Sequence, residues 1–145
     1  MKKLSDTYKE LGIEFKFPIE IRDSDGNKTY HEDSDGDWHK KEYDSKGNQT
    51  YHAESDNRWY KSEYDSDGNL TYYENSHGYW CKQEYDSDGN EIYFEDSDGW
   101  YKHEYDADGN ETYFEDSQGK KKGTPRSQTF DGKVRRVMSL LLNSN

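Results

Sequence analysis

The sequence predicts an all-β protein whose repeated β-hairpins form a twisted antiparallel meander or a short β-solenoid. Short capping segments, with short helices among them, close the two ends. Three observations predict this. The pentapeptide Asp-Ser-Asp-Gly-Asn or a near variant begins at Asp23, Asp44, Asp65, Asp86 and Asp106, at intervals of 21, 21, 21 and 20 residues. Between successive copies stand a Tyr (Tyr30, Tyr51, Tyr72, Tyr93, Tyr113) and a Trp (Trp38, Trp59, Trp80, Trp100), the Trp followed by Lys and Glu at alternate positions. Alternation of this kind is the signature of a strand, whose successive side chains point to opposite faces.

Composition narrows the fold further. Only 28% of the residues are hydrophobic, more than half of those are aromatic, and from Asp23 to Gly119 the only aliphatics of the Leu, Ile, Val or Met type are Leu70 and Ile92. A large aliphatic core is therefore excluded. Low hydrophobicity with a net charge of −12 is also the composition of disordered chains. Regularly placed aromatics argue against disorder here, because side-by-side hairpins would stack Tyr and Trp on Tyr and Trp and bury them against neighbours.

Residues 1–22 are expected to cap the array. Leu4, Tyr8 and Leu11 before Gly12 predict a short helix with a glycine stop. Leu11, Ile13, Phe15, Phe17, Ile19 and Ile21 then alternate as a strand, which Pro18 places at an edge. Residues 23–119 hold five hairpin repeats. In the clearest one, Asp86–Asn90 is a turn, Glu91–Glu95 a strand, Asp96–Gly99 a second turn and Trp100–Tyr105 a second strand. Trp80, Lys82 and Glu84 are expected on one face, Cys81, Gln83 and Tyr85 on the other. In residues 120–145 the repeat stops, basic residues dominate, and Val134, Val137, Met138 and Leu141 fall on one helical face after an Asp131 N-cap.

The Tyr-Asp-x-x-Gly-Asn unit at Tyr43, Tyr64, Tyr85 and Tyr105 resembles the YD repeats of Rhs-type proteins. The Tyr-rich hairpin with a Gly turn is also similar to MORN-type repeats. These resemblances cover about two thirds of the chain and imply a hairpin array without fixing a function. As a small acidic repeat protein the chain resembles products of phage and mobile-element genes, which implies an inhibitor of host defence.

Few catalytic patterns survive inspection. No phosphate-binding loop, nucleophile elbow or metal-hydrolase motif is present, and carboxylates that recur this regularly mark solvated turns rather than one tuned pair. The protein is therefore read as a non-enzyme that uses no cofactor. Glu63, Asp65, Asp67, Gly68 and Glu74 match an EF-hand ligand spacing, so a calcium-binding repeat protein, with Asp65, Asp67 and Glu74 as ligands, stands as one alternative. The competing reading makes the pentapeptide a turn whose Asp side chains bond nearby backbone. His31 and His52 occupy equivalent positions while His39, His77 and His103 fall elsewhere, and none belongs to a zinc motif. Cys81, the single cysteine, is read as an ordinary strand residue.

Charge carries the functional reading. Residues 120–145 have seven basic residues and one acidic one, a net of +6 that leaves −18 on residues 1–119. Asp86 to Tyr105 holds seven acidic residues and one lysine. A two-strand repeat advances about 9.6 Å, so this unit presents one net charge per about 1.6 Å, against roughly 1.7 Å in B-DNA. Asp44 to Tyr64 nets only −1, so the resemblance to DNA is uneven along the chain. The expectation is a DNA-mimic decoy, such as a phage anti-defence or anti-CRISPR protein. Its partner would be a basic surface, that of a nucleic-acid-binding enzyme, with no direct contact to nucleic acid or membrane. The expected contact carboxylates are Asp86, Asp88, Glu91, Glu95, Asp96, Asp98, Asp106, Asp108, Glu111 and Glu115. A structural or glycan- or protein-binding repeat module is the other alternative, with Trp59 and Trp80 stacking on the ligand, because Tyr93 to Gly99 resembles bacterial cell-wall-binding repeats. No apolar run for a signal peptide or membrane span appears, so the expected compartment is the cytoplasm, the host's if the gene is a phage's.

Overall fold

The computed structural model describes residues 2–128 together with Arg136. Val134, Val137, Met138 and Leu141, expected on one helical face, lie outside the described residues. The chain divides into two compact units, Met1–Trp80 and Cys81–Asn145. The first holds helix α1 (Leu4–Glu10) and strands β1 (Ile19–Arg22), β2 (Lys28–Glu32), β3 (Trp38–Tyr43), β4 (Gln49–Glu54), β5 (Trp59–Tyr64) and β6 (Leu70–Asn75). The second holds β7 (Trp80–Tyr85), whose first residue marks the boundary, β8 (Glu91–Asp96), β9 (Gly99–Tyr105), β10 (Glu111–Asp116) and β11 (Lys121–Gly123), then a 3₁₀ turn at Arg126–Gln128. In each unit consecutive strands pair antiparallel, so the all-β prediction resolves to a meander.

The turns explain the register. In the turn Asp65–Asn69, Asp65 Oδ1 accepts the backbone N–H groups of Asp67 at 2.8 Å and Asn69 at 2.9 Å, and Oδ2 accepts the Asn69 side-chain amide at 3.0 Å. The Gly68 N–H donates to the Asp65 carbonyl, and the Asp65 N–H to the Asn69 carbonyl. Gly68 has φ +91°, a conformation that costs an L-residue its Cβ clearance. The same closure recurs at Asp23, Asp44, Asp86 and Asp106. Each of these turns adjoins a one-residue register shift, as between Glu63 and Tyr64, which is the bulge such turns impose. The turns at the other strand ends extend the ladder differently. The N–H groups of Ser55, Ser76 and Ser117 donate to the carbonyls of Trp38, Trp59 and Trp100.

The first strand is shorter than the alternation predicts. Only Ile19–Arg22 pairs with β2. Gly12 at φ +67° turns the chain out of α1, and Pro18, after a cis peptide, has no N–H for a ladder. Leu11 is 67% exposed, and Ile13 and Phe17 are also exposed. Ile19 alone of this series is buried.

The short helix docks on β2 through polar atoms. Glu32, 1% exposed, accepts the Ser5 N–H at 3.0 Å, the Ser5 hydroxyl at 2.5 Å and the Tyr30 hydroxyl at 2.9 Å. The Leu4 N–H donates to the Tyr30 hydroxyl at 3.1 Å. Register accounts for why this glutamate is available. Glu74 and Glu115 stand opposite Lys61 and Lys102, whereas Glu32 stands opposite Ile19. Burial raises the Glu32 pKa, but the two Ser5 donors, Tyr30 and Lys3 outweigh it and hold the carboxyl below its ordinary range. The Tyr30 hydroxyl is pushed up to about 12, mainly by burial.

Among the described residues Asn57 is the one non-Gly residue at positive φ, +69°, where the equivalent turns carry glycine. Asn57→Gly is expected to stabilise by about 0.5–1 kcal/mol and Gly68→Ala to destabilise by about 1–2 kcal/mol, read by urea denaturation. Glu32→Ala removes the acceptor of three donors and is expected to cost about 2–3 kcal/mol, with α1 losing amide protection first in hydrogen exchange.

Candidate functional site

Residues opposite one another across two strands share a face, so the register assigns every side chain. In the first unit one face carries Tyr30, Glu32, Trp38, Lys40, Tyr51, Ala53, Trp59, Lys61, Tyr72 and Glu74. In the second it carries Lys82, Glu84, Tyr93, Glu95, Trp100, Lys102, Tyr113 and Glu115. The split expected for β7 holds: Cys81 is buried, whereas Lys82 and Glu84 on the Trp face are exposed.

The Trp face is a repeated lattice of four side chains. Tyr72 donates to Glu74 at 3.2 Å, Lys61 donates to the same carboxylate at 2.9 Å, and the lysine ammonium lies 5.5 Å from the Trp59 ring centroid. In the second unit Tyr113 donates to Glu115 at 2.7 Å, Lys102 and Lys121 reach it at 2.7 Å, and Lys102 lies 5.6 Å from Trp100. Hydrogen bonds from Lys102, Lys121 and Tyr113 pull the Glu115 pKa down to about 2. On this face Glu74 and Glu115 are paired with lysine, whereas Glu63 and Glu84 are exposed.

The opposite face is a row of rings. In the first unit His31, His39, His52, Tyr60 and Tyr73 follow at centroid separations of 5.1, 6.1, 5.2 and 5.8 Å, with interplanar angles of 18° to 28°. In the second, Phe94 stacks on Tyr101 at 5.1 Å, and His103 meets Phe114 at 5.1 Å. The Tyr101 hydroxyl donates to Glu91 at 2.8 Å, and burial followed by that carboxylate raises its pKa. His39, which with His77 and His103 falls outside the position shared by His31 and His52, is placed between those two by the register, because the position after each Trp interleaves with the position after each Tyr.

The ten expected contact carboxylates are divided by the fold. Asp86 and Asp88, and Asp106 and Asp108, lie in turns at one end of the strands, Asp96 and Asp98 at the other. A six-residue strand separates the two ends by about 20 Å. Glu91, Glu95, Glu111 and Glu115 lie on strands, and several are engaged: Glu91 by Gln83 and Tyr101, Glu111 by Lys122 and His103, Glu115 by its lysines. Asp86 and Asp106 point into their own turns. Asp88, Asp98 and Asp108 are exposed.

The EF-hand spacing is not assembled. Asp65 is occupied by its turn, and Glu74, on β6, holds Lys61. Glu63 lies on β5 opposite Tyr72. Among the described residues no group of three His, Cys, Asp or Glu side chains could hold a metal ion. Nor is any described helix long and apolar enough to cross a membrane.

No family model and no curated protein matches the chain. Among solved structures, one described as TcdB2-TccC3-TEV aligns with 81% of this chain and 6% of its own, at 14% identity and a TM-score of 0.49. The chain thus spans a small fraction of that protein, and a likeness this slight says nothing of ancestry or activity.

The turn carboxylates set an acid limit on stability. Bonds from Asn27, Asn48, Asn69, Asn90 and Asn110 hold the leading Asp of each turn below its ordinary pKa. A carboxyl depressed in the folded state stabilises above its unfolded pKa and loses that stabilisation as pH falls through the folded value. Below about pH 4.5 the urea midpoint is therefore expected to fall steadily toward pH 2, through the range of unperturbed and depressed carboxyls. Asp65→Ala is expected to lower the midpoint at pH 7 and to flatten this acid slope.

Proposed function

We propose that the protein is a non-catalytic acidic binding protein that occupies a basic cleft of a nucleic-acid-binding enzyme as a DNA-mimic decoy. A phage anti-defence or anti-CRISPR inhibitor would act in this way. The placement of uncompensated charge supports the reading. On the Trp face Lys61 pairs with Glu74, and Lys102 and Lys121 with Glu115, while the second acid of the turns, at Asp25, Asp35, Asp67, Asp88, Asp98 and Asp108, is exposed. The turn is closed by the first Asp, so this second carboxylate is dispensable for closure and available to a partner.

Within the second unit Asp88 and Asp108 lie on successive turns at the same strand ends, about 9.6 Å apart by strand spacing. A row of this kind steers a basic cleft toward it and makes association fast and salt-sensitive. It repels phosphate, so the partner is protein rather than nucleic acid. The aromatic faces favour this reading over glycan stacking, because Trp59 and Trp100 already carry a lysine over the ring. Kinship with YD-type hairpin arrays is part of the proposal, and the Tyr-Asp-x-x-Gly-Asn turns support it.

The full chain, immobilised, is expected to retain nucleic-acid enzymes from a bacterial lysate at about 0.1 M salt and to release them at about 0.5 M, where the Debye length is roughly halved. Asp88→Asn, Asp98→Asn and Asp108→Asn together should weaken capture at least tenfold with the thermal midpoint unchanged. Capture that survives both high salt and the triple substitution would exclude the decoy.

A further inference from the structure

We propose that the stacked imidazoles of His31, His39 and His52 make the first unit acid-sensitive, so that β2 to β4 open as the pH falls from about 7 to about 5 while the second unit stays folded. The rings involved take no part in the acidic surface of the decoy reading. Two columns of the repeat supply them. The residue after each Trp is His39, Tyr60, Cys81 or Tyr101, and the residue after each Tyr is His31, His52, Tyr73, Phe94 or Phe114. In β2, β3 and β4 alone, three neighbouring positions of the ring row are filled by histidine instead of Tyr or Phe.

Neutral imidazoles serve such a row as other rings do. Their centroids lie 5.1 and 6.1 Å apart, and the row continues onto Tyr60 at 5.2 Å. Imidazolium ions at those separations repel one another across a partly buried surface, where water screens them poorly. The outcome turns on which surrounding charges can compensate them.

The two outer rings each have a carboxylate: His31 Nδ1 is 3.3 Å from Glu20 on β1, and His52 Nε2 is 2.9 Å from Glu54 on β4. Glu20 is shared with Lys28 and Glu54 with Arg58. Around the central ring stand Lys41 on its own strand, Glu54 opposite it in register, and Asp33, Asp37, Asp56 and Arg58 in the adjoining turns. These acids are committed elsewhere. Asp33 accepts the N–H groups of Asp35 and Asp37, Asp37 accepts the Ser55 hydroxyl, and Asp56 pairs with Arg58. His52 Nδ1 is buried with no hydrogen-bond partner, so a proton there would create a buried donor without an acceptor.

The sign of the pH effect follows. Burial, then His31, Lys41, His52 and Lys28, hold the His39 pKa below its ordinary value. Unfolded, His39 takes a proton at about 6.5. Below that pH the unfolded chain binds more protons than the folded one, and stability falls with pH, by up to about tenfold in the folding equilibrium per pH unit for each proton withheld. The second unit offers an internal control. Its ring row holds one histidine, His103, 3.0 Å from Glu111.

Hydrogen exchange of the full chain, read by mass spectrometry at about pH 7.5 and about pH 5.5 and corrected for intrinsic exchange, tests the proposal. Amides of residues 28–54 are expected to lose at least tenfold protection at the lower pH while those of 91–116 keep theirs. His39→Tyr, which installs the residue found at the equivalent position in β5, should remove most of the loss. Unchanged protection of 28–54 in the wild-type chain overturns the proposal, as does an equal loss in 91–116. Both outcomes can be read without the variant. An equal loss in His39→Tyr would also refute it.

Discussion

With two aliphatic residues between Asp23 and Gly119, the repeats cannot cover one face of a sheet with an apolar layer, and each strand must draw its stability from the strands beside it. The rest of the structure depends on that constraint. The buried apolar residues among those described are Ile19, Trp38, Ala53, Cys81 and Tyr113, three on the Trp face of the first unit and one on each face of the second rather than a continuous core. In place of a core, the Trp face links Tyr, Glu, Lys and Trp laterally, and the opposite face stacks rings at 5–6 Å. Both devices work only if neighbouring strands are held in one register, because a slip of one residue exchanges the faces. The Asp-led turn supplies the register by closing on its own backbone before any distant contact is made.

This arrangement also sorts the charges. A lattice that sets Lys beside Glu pairs Glu42, Glu74 and Glu115 on the strands, and turn closure engages the first Asp of each pentapeptide. The second acid of the turn faces solvent at the strand ends, where a partner would meet it without disturbing either face; Glu63 and Glu84 are also exposed. Where one lattice member changes, a local function appears. Ile19 in the place of a lysine frees Glu32 to anchor α1, and histidine in the place of tyrosine gives the first unit a titratable row.

Much of this was legible in the sequence for a physical reason: a turn is local, and five residues carry all of its determinants. The repeat boundaries, the hairpins and the two faces of β7 were readable from Asp, Gly and the alternation. The first strand is shorter than the alternation of Leu11 to Ile21 implies, because Gly12 and Pro18 break pairing whatever their neighbours' polarity. The role of Glu32 was hidden because Ser5 lies 27 positions away and reaches it only after a helix docks. The histidine row was hidden because its members belong to two different columns of the repeat, which only the cross-strand register interleaves. The same register divided the expected acidic surface, placing Asp96 and Asp98 a strand length from Asp86 and Asp106.

The central claim is that lateral side-chain contacts, rather than burial of an apolar core, hold the repeats together. The heat capacity change of unfolding, from calorimetry on the full chain, measures it most directly, because that quantity reports apolar surface exposed. The structure predicts a value well below the roughly 12–15 cal/mol/K per residue of ordinary domains. A value within that range would mean that an apolar core of normal size is buried, and would contradict the account.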